Sequence, residues 1–423
     1  MSDDVDQGPV RGTIGRVTVA TLIAAASGYL VLLLAARHLG AAGYAVFAVF
    51  WAAYGMVTGT QNGQLQETTR AVRAALDTHR TPADRLRARP WLINTTIGLV
   101  LAALVAATSP LWSGQVFTDE RWLSVLLLSV GVASFAVYAH LAGALSGALA
   151  WGPFAVLLSV DALIRLVGAV VAVALDGEVT AFLVITVIGS VSWMAVLLTS
   201  SEARAAVGLH GDVTPRHFTG NTVTAMAAAA ASAVLVMGFP VLINATGGDD
   251  ADTATVGAVV LAVTLTRAPL LVPLNSFQGV LITRFVDGRR HLMVALRAPV
   301  AVVAAIGVVG SAAAWLVGPW LLTTVFGADF QLAGVTLAAF TLGATALALL
   351  TVTGAAAIAV GSHRWYATGW WVATLASAGL LLVPLGVEGR VAIALIGGPI
   401  VGMSIHGLAF ARRSAAMAVS TRD

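Results

Sequence analysis

The chain contains no cysteine and no lysine, and only 10% of its 423 residues are charged. The missing thiols exclude disulfides, thiolate metal sites and cysteine nucleophiles. The shortage of charge, set against 58% hydrophobic residues and a mean hydropathy of +0.90, excludes a soluble globular domain, in which about a quarter of residues are charged. No HExxH zinc pattern, no Walker phosphate loop and no dinucleotide fingerprint in a soluble context occurs. No ATP hydrolysis, metal or cofactor is therefore expected of this chain.

What the chain does have is a succession of apolar segments. They fall at about 14 to 36, 42 to 62, 91 to 110, 122 to 144, 153 to 175, 180 to 200, 218 to 243, 255 to 278, 296 to 318, 333 to 358, 365 to 386 and 390 to 410. Each is near the roughly 20 residues that carry a helix across about 30 Å of hydrocarbon. An all-α polytopic membrane protein with about twelve transmembrane helices is predicted. Its first segment lacks a convincing cleavage region and reads as a retained span. The connecting loops are too short to fold as soluble enzyme domains.

All 23 basic residues are Arg, and they are unevenly shared between alternate loops. One face receives Arg11, Arg16, Arg70, Arg73, Arg80, Arg85, Arg87, Arg89, Arg204, Arg216, Arg284, Arg289, Arg290, Arg297, Arg364, Arg412, Arg413 and Arg422. The other receives Arg37, Arg121 and Arg390. The positive-inside rule then predicts a multi-pass protein of the cytoplasmic (inner) membrane with both termini cytoplasmic. Because the Arg residues lie beside apolar runs, membrane lipids and orientation account for the basic balance, and no nucleic-acid partner is expected.

The halves resemble one another. Pro110-Leu-Trp-Ser-Gly-Gln-Val116-Phe117 after the third segment matches Pro319-Trp-Leu-Leu-Thr-Thr-Val325-Phe326 after the ninth in the spacing of Pro and Val-Phe. The basic stretch Gln64 to Arg89 has a shorter counterpart in Thr283 to Arg297. Six spans return the chain to its starting side, so parallel internal repeats would form two six-helix lobes, 1–209 and 210–423, around a central cavity.

The stretch Leu33-Leu-Ala35-Ala36-Arg37-His-Leu39-Gly40-Ala-Ala-Gly43-Tyr44-Ala-Val-Phe47-Ala resembles the first-hairpin signature of the polysaccharide-exporter branch of the multidrug/oligosaccharidyl-lipid/polysaccharide (MOP) flippase superfamily, which includes the lipopolysaccharide and O-antigen flippases. Thr266-Arg267-Ala-Pro269 is similar to an Arg-x-Pro segment of their eighth span, and Phe326-Gly-Ala-Asp-Phe330 to a motif before their tenth. The resemblance implies a flippase-like fold and alternating-access movement of a saccharide linked to undecaprenyl or decaprenyl phosphate. It also implies the glycosyltransferases and polymerase of the same pathway as partners, and a role for Arg37 at the signature position. The outer end of span 1 equally suits Arg37 as an interfacial anchor.

Embedded polar groups are the candidate site, because a charge in hydrocarbon costs about 2.5 to 3.5 kcal/mol on insertion scales and persists where it faces protein or water. Arg267, mid-span, suits a pyrophosphate head group; pairing with a buried carboxylate, or a shifted register, are the alternatives. Pro269 removes a helix hydrogen bond beside it. Asp161 and Arg165, four apart, share a helix face and suit a structural pair or a coupling site. His140 reads as a packed, hydrogen-bonded residue. Arg70 and Arg73 offer one basic edge to an incoming phosphate, or snorkel from an interfacial helix with Gln61, Asn62, Gln64 and Glu67 around them. Asn94, Thr95, Thr96, Asn275 and Gln278 suit sugar hydroxyls or interhelical hydrogen bonds. Trp91, Trp112, Trp122, Trp151, Trp320 and Trp365 lie near span ends as interfacial anchors. The small-residue runs Gly143 to Gly147 and Ala227 to Ala233 permit close helix packing.

The leading expectation is a transporter, not an enzyme, that moves a polyprenyl-(pyro)phosphate-linked oligosaccharide. A cation-coupled exporter of amphipathic small molecules and a membrane scaffold for glycan synthesis are the alternatives. Short outer loops disfavour a glycosyltransferase.

Overall fold

The computed structural model describes residues 8–77, 87–117, 119–246, 252–287, 292–360 and 362–420. Their regular structure is helical, in the order α1 (Gly8–Asp77), α2 (Pro90–Val116), α3 (Arg121–Gly147), α4 (Trp151–Ala174), α5 (Val179–Ile188), α6 (Ser192–Thr199), α7 (Ser201–Val207), α8 (Pro215–Val236), α9 (Phe239–Ala245), α10 (Thr253–Asp287), α11 (Leu292–Phe326), α12 (Gly334–Ala359), α13 (His363–Leu380) and α14 (Val387–Ser420). Among them, 10 helical stretches are long and apolar enough to cross a membrane. The first is two helices joined at Gly40, so its arms correspond to the first two expected segments. The rest follow the expected order, with α5 and α6 together forming the sixth and α8 and α9 the seventh, except that the eleventh expected segment, 365 to 386, falls on α13, which is not among the 10.

Contacts divide the chain into two compact units: Met1–Leu39 with Val49–Ala233, and Gly40–Ala48 with Val234–Asp423. In the first, the α3 side chains Tyr138, Leu141 and Leu145 form a core with Leu157 of α4, Val196 of α6 and Ala203 of α7. Glycine sets the spacing. A Cβ on Gly143 would lie 2.7 Å from the Leu65 carbonyl oxygen, and one on Gly147 would lie 2.8 Å from that of Thr69, so α3 rests directly on the backbone of α1. Gly59 and Gly63, four apart on α1, do the same for α8: Gly63 abuts the Met226 backbone, and a Cβ on Gly59 would lie 2.9 Å from the Ala233 Cβ. Without a hydrophobic drive between helices in lipid, such backbone proximity supplies the van der Waals contact that holds them.

In the second unit α12 is the most enclosed helix, buried along its length from Leu337 to Ala357, with α10, α11 and α14 packed against it. The signature segment belongs here. Gly40 adopts φ 65° and ψ −179°, a region open essentially to glycine alone. That conformation breaks α1 and sends Gly40–Ala48 into the second unit, where Tyr44 is fully buried with its ring edge-on to Phe330 at 5.8 Å. Gly257 meets the Ala41 carbonyl oxygen on the same segment.

Substituting Gly40 should therefore cost fold stability rather than surface contacts. Gly40→Ala is expected to destabilise the protein by about 1 to 3 kcal/mol, whereas Gly28→Ala, a helical glycine with open space around it, should be neutral or stabilising by up to about 1 kcal/mol. Thermal unfolding of both variants in lipid nanodiscs checks the contrast; equal melting temperatures would refute the strained-hinge account.

Candidate functional site

The first unit holds two polar groupings. Asp161 and Arg165 project from the same face of α4, and the Arg165 guanidinium donates to an Asp161 carboxylate oxygen at 2.9 Å. Both side chains are mostly enclosed, 15% and 17% exposed. The guanidinium carbon lies 5.7 Å from the Trp51 and Tyr54 ring centres, within the range where a cation is drawn to an aromatic face. The pair abuts the place where the sixth span leaves α-helical geometry, a 3-10 turn over Gly189–Val191. A Cβ on Gly189 would lie 2.7 Å from the Asp161 carboxylate, so only glycine leaves room for the pair. Ser134 donates to the Ser190 carbonyl at 3.2 Å and Trp193 donates to Ser134 at 3.1 Å, stitching that turn to α3. Trp51, Tyr54, Ser134, Gly189 and Ser190 were not expected at this site; the Gly-Ser sequence within an apolar span is the only local signal for them.

The second grouping runs along α1 beyond the expected end of span 2. Arg70 chelates two carboxylates, donating to Glu67 at 2.8 and 2.7 Å and to Asp212 at 2.9 and 3.1 Å. Asn221 of α8 donates to Glu67 at 3.0 Å. One turn further in, Gln64 donates to the Asn94 carbonyl at 3.2 Å and Asn94 donates to Thr68 at 2.8 Å; deeper still, Gln61 donates to the Val132 carbonyl at 3.0 Å. The amide oxygens of Gln61, Gln64 and Asn94 are buried and without a hydrogen-bond partner among the described residues. Arg73, one turn on from Arg70, is exposed, as is Arg37 on the first arm of α1. Thr96 faces outward and donates to the Leu92 carbonyl. His140 is buried, its ring 3.3 Å from the Val207 carbonyl.

In the second unit, Arg267 is 7% exposed and lies beside the break between α8 and α9. It donates to the carbonyls of Leu235 at 3.4 Å and Val236 at 2.9 Å, the last residues of α8. Its guanidinium carbon sits 4.8 Å from the Phe239 ring centre. Arginine is well suited to this position, because the terminal carbonyls of a helix lack internal donors and form the negative end of its dipole. No carboxylate pairs with Arg267 among the described residues, and its Nε has no hydrogen-bond partner there. Pro269 and Pro273 follow on α10, which remains helical through both. The side chains of Asn275 and Gln278 lie outside the described residues. No group of three metal-ligating side chains occurs among the described residues.

This arrangement of helices is a MOP-superfamily transporter-like fold. The chain superposes on a structure of the lipid II flippase MurJ in an inward closed conformation with a TM-score of 0.72 and 13% identity, over 93% of this chain and 87% of that one. An inward-facing multidrug resistance MATE family transporter of the MOP superfamily gives 0.70 and 13% identity, over 95% and 98%. These structural neighbours are transporters and flippases, not enzymes. No protein-family model matches the chain. It is 48% identical over 407 residues to the uncharacterized protein Rv1510 of Mycobacterium tuberculosis, covering 96% of this chain and 93% of that protein. The chain belongs to the same family as that mycobacterial protein.

The Asp161–Arg165 pair makes a sharp energetic prediction. Asp161→Ala strands a buried guanidinium and should cost about 3 to 5 kcal/mol, while Asp161→Asn combined with Arg165→Gln should recover most of that loss. A double-mutant cycle on unfolding in nanodiscs reads the coupling; additive single effects would show that the two charges do not depend on each other.

Proposed function

We propose that the protein translocates a saccharide linked to a polyprenyl phosphate or pyrophosphate across the cytoplasmic membrane by alternating access, as a step of cell-surface polysaccharide synthesis. The observation that carries this reading is the unpaired Arg267. Elsewhere in the described membrane interior a guanidinium is matched by carboxylate: Arg165 by Asp161, and, at the helix end, Arg70 by Glu67 and Asp212. Arg267 is held by carbonyl dipoles and an aromatic ring, so among the described residues no acid compensates its positive charge. An enclosed charge of this kind is costly unless an anion joins it, and a phosphate presents the oxygens that a guanidinium fork grips. The same charge repels the cationic amphiphiles expected of a drug exporter.

In this reading Arg267 holds the phosphate while the lipid tail stays in the bilayer, and Arg73 and Arg37 guide the anion at the membrane faces; Arg70, also expected there, is instead taken up by Glu67 and Asp212. Asn275 and Gln278 contribute hydrogen bonds to sugar hydroxyls, whereas Asn94 closes an interhelical bond to Thr68 and Thr96 faces outward; Asp161 with Arg165 acts as a coupling or structural pair. The two lobes exchange access to the two faces, with both termini cytoplasmic; α8 up to Ala233, expected within the second lobe 210–423, falls in the first compact unit, and Gly40–Ala48 in the second. The superposition on a lipid II flippase supports the substrate class. A cation-coupled exporter is the second reading, favoured by the likeness to a multidrug MATE transporter.

The test is a liposome assay with a fluorescent polyprenyl-pyrophosphate-linked saccharide, scoring the fraction of head groups that become accessible on the opposite side. Arg267→Gln retains an amide donor for the α8 carbonyls while removing the charge. It is expected to slow translocation at least about tenfold, the scale of one hydrogen bond to a charged group. Wild-type rates in a folded Arg267→Gln protein would remove the anion site. No translocation by wild type across carrier lipids and ion gradients would favour small-molecule export or scaffolding instead.

A further inference from the structure

The repeated Pro…Val-Phe motif ends differently in the two units. In the first unit, Arg121 closes the corner beneath Pro110. Its guanidinium donates to Ser113 at 2.7 Å and to the Pro110 carbonyl at 3.4 Å, and it would lie 3.2 Å from a Cβ on Gly114. In the second unit the residue in the same register is Phe330, which is buried against Tyr44 and Phe326. The corner is therefore left open. A cleft of about 470 Å³ occupies it, lined by Pro319, Trp320 and Thr323 of α11, Gln331 and Leu332 of the connection to α12, and Glu388 in the first turn of α14.

The surroundings fix the cleft's shape. Gly327, at φ 121°, lets the chain turn back after α11. Below the cleft, Gly318 and Gly334 bring α11 and α12 into direct contact, a Cβ on Gly318 meeting Leu337 at 2.6 Å. Thr336 donates a hydrogen bond to Glu388 and so orients the carboxylate, while Thr323 bends back to the Pro319 carbonyl at 3.1 Å. Trp320 is 62% exposed.

We propose that this cleft binds the saccharide itself, as a docking subsite separate from the anion site. Its chemistry selects a neutral, hydroxyl-rich ring. An indole face covers the C–H face of a pyranose, and the carboxylate of Glu388, the amide of Gln331 and the hydroxyl of Thr323 supply the acceptors and donors that neighbouring hydroxyls require. A phosphate finds a carboxylate and no basic group among the lining residues, and an apolar chain would strand three polar side chains. The volume falls within the range of about 300 to 1,000 Å³ typical of small-molecule sites. The proposal deepens the flippase reading and rests on it for its biological meaning: the cleft lies at the end of α11 remote from Leu292, on the face assigned to the outside by the Arg distribution, where a delivered sugar would emerge.

Saturation-transfer-difference NMR on the full chain in lipid nanodiscs tests it, with methyl β-D-glucopyranoside, methyl α-D-mannopyranoside and lactose as probes and choline as the cationic control. Transfer to the ring C–H protons of at least one saccharide is expected. Trp320→Ala should weaken that saccharide's binding at least about threefold, the scale of one aromatic contact, with Trp320→Phe restoring it and Glu388→Ala reducing it. No transfer to any saccharide, transfer unchanged in both alanine variants, or transfer to choline in their place would overturn the proposal. Binding of these lipid-free sugars is read independently of transport. Saccharide binding without lipid translocation would retain the cleft and defeat the flippase reading, whereas translocation without saccharide binding would defeat the cleft alone.

Discussion

Hydrocarbon supplies no hydrogen-bond donor or acceptor, so each backbone group that leaves helical geometry within the membrane must find a partner in protein. Three departures organise this chain, one at the turn between the first two spans and two inside spans. At Gly40 the break is compact enough to need only a residue without a Cβ. At Gly189–Val191 the 3-10 turn is tied to α3 through Ser134 and Trp193. Between α8 and α9 the exposed carbonyls of Leu235 and Val236 are taken up by Arg267. Each of the two enclosed arginines thus sits beside a broken span, Arg165 against the first of these polar breaks and Arg267 against the second.

The two breaks differ in charge balance. Beside the 3-10 turn, Asp161 cancels Arg165 and the aromatic rings of Trp51 and Tyr54 complete the enclosure. The α8–α9 break receives no acid among the described residues, and carbonyl dipoles compensate only a fraction of a unit charge. The first is balanced by its own acid; the second has none among the described residues. That difference orders the candidates, because a site that has already neutralised itself gains little by meeting a charged substrate.

The spans and the Asp161–Arg165 pair were legible because both depend on local spacing: hydropathy over about 20 residues, and the four-residue repeat of a helix face. The Gly143 to Gly147 run was legible for the same reason. What escaped depends on remote partners. The stretch from Gln61 to Arg70 reads as an interfacial helix end, yet Gln61, Gln64 and Thr68 are fully buried, since α2, α3 and α8 bring carbonyls and amides to them from far along the chain. Arg70 likewise owes its setting to Asp212, 142 residues away. Arg267 was recognisable as an embedded charge, but its hold on the α8 carbonyls was not, because nothing in Leu235-Val236-Met237-Gly238 announces which side chain will cover the break. Tyr44 belongs to the same class: its burial follows from the Gly40 dihedral, which a sequence pattern shows only as a glycine.

At the proposed anion site, one guanidinium, that of Arg267, would serve both the broken helix and the ligand. A guanidinium anchored through one amino group to the end of α8 has lost the rotamer freedom that a free arginine would surrender on binding, so an arriving phosphate meets a group already oriented. Its other edge carries the Nε that lacks a hydrogen-bond partner among the described residues. Engagement of that edge by an anion would offset the guanidinium charge and so loosen its bonds to the Leu235 and Val236 carbonyls. Ligand binding and integrity of the broken span would then be coupled through a single side chain, which is how occupancy of the site can bear on the geometry of the helix beside it.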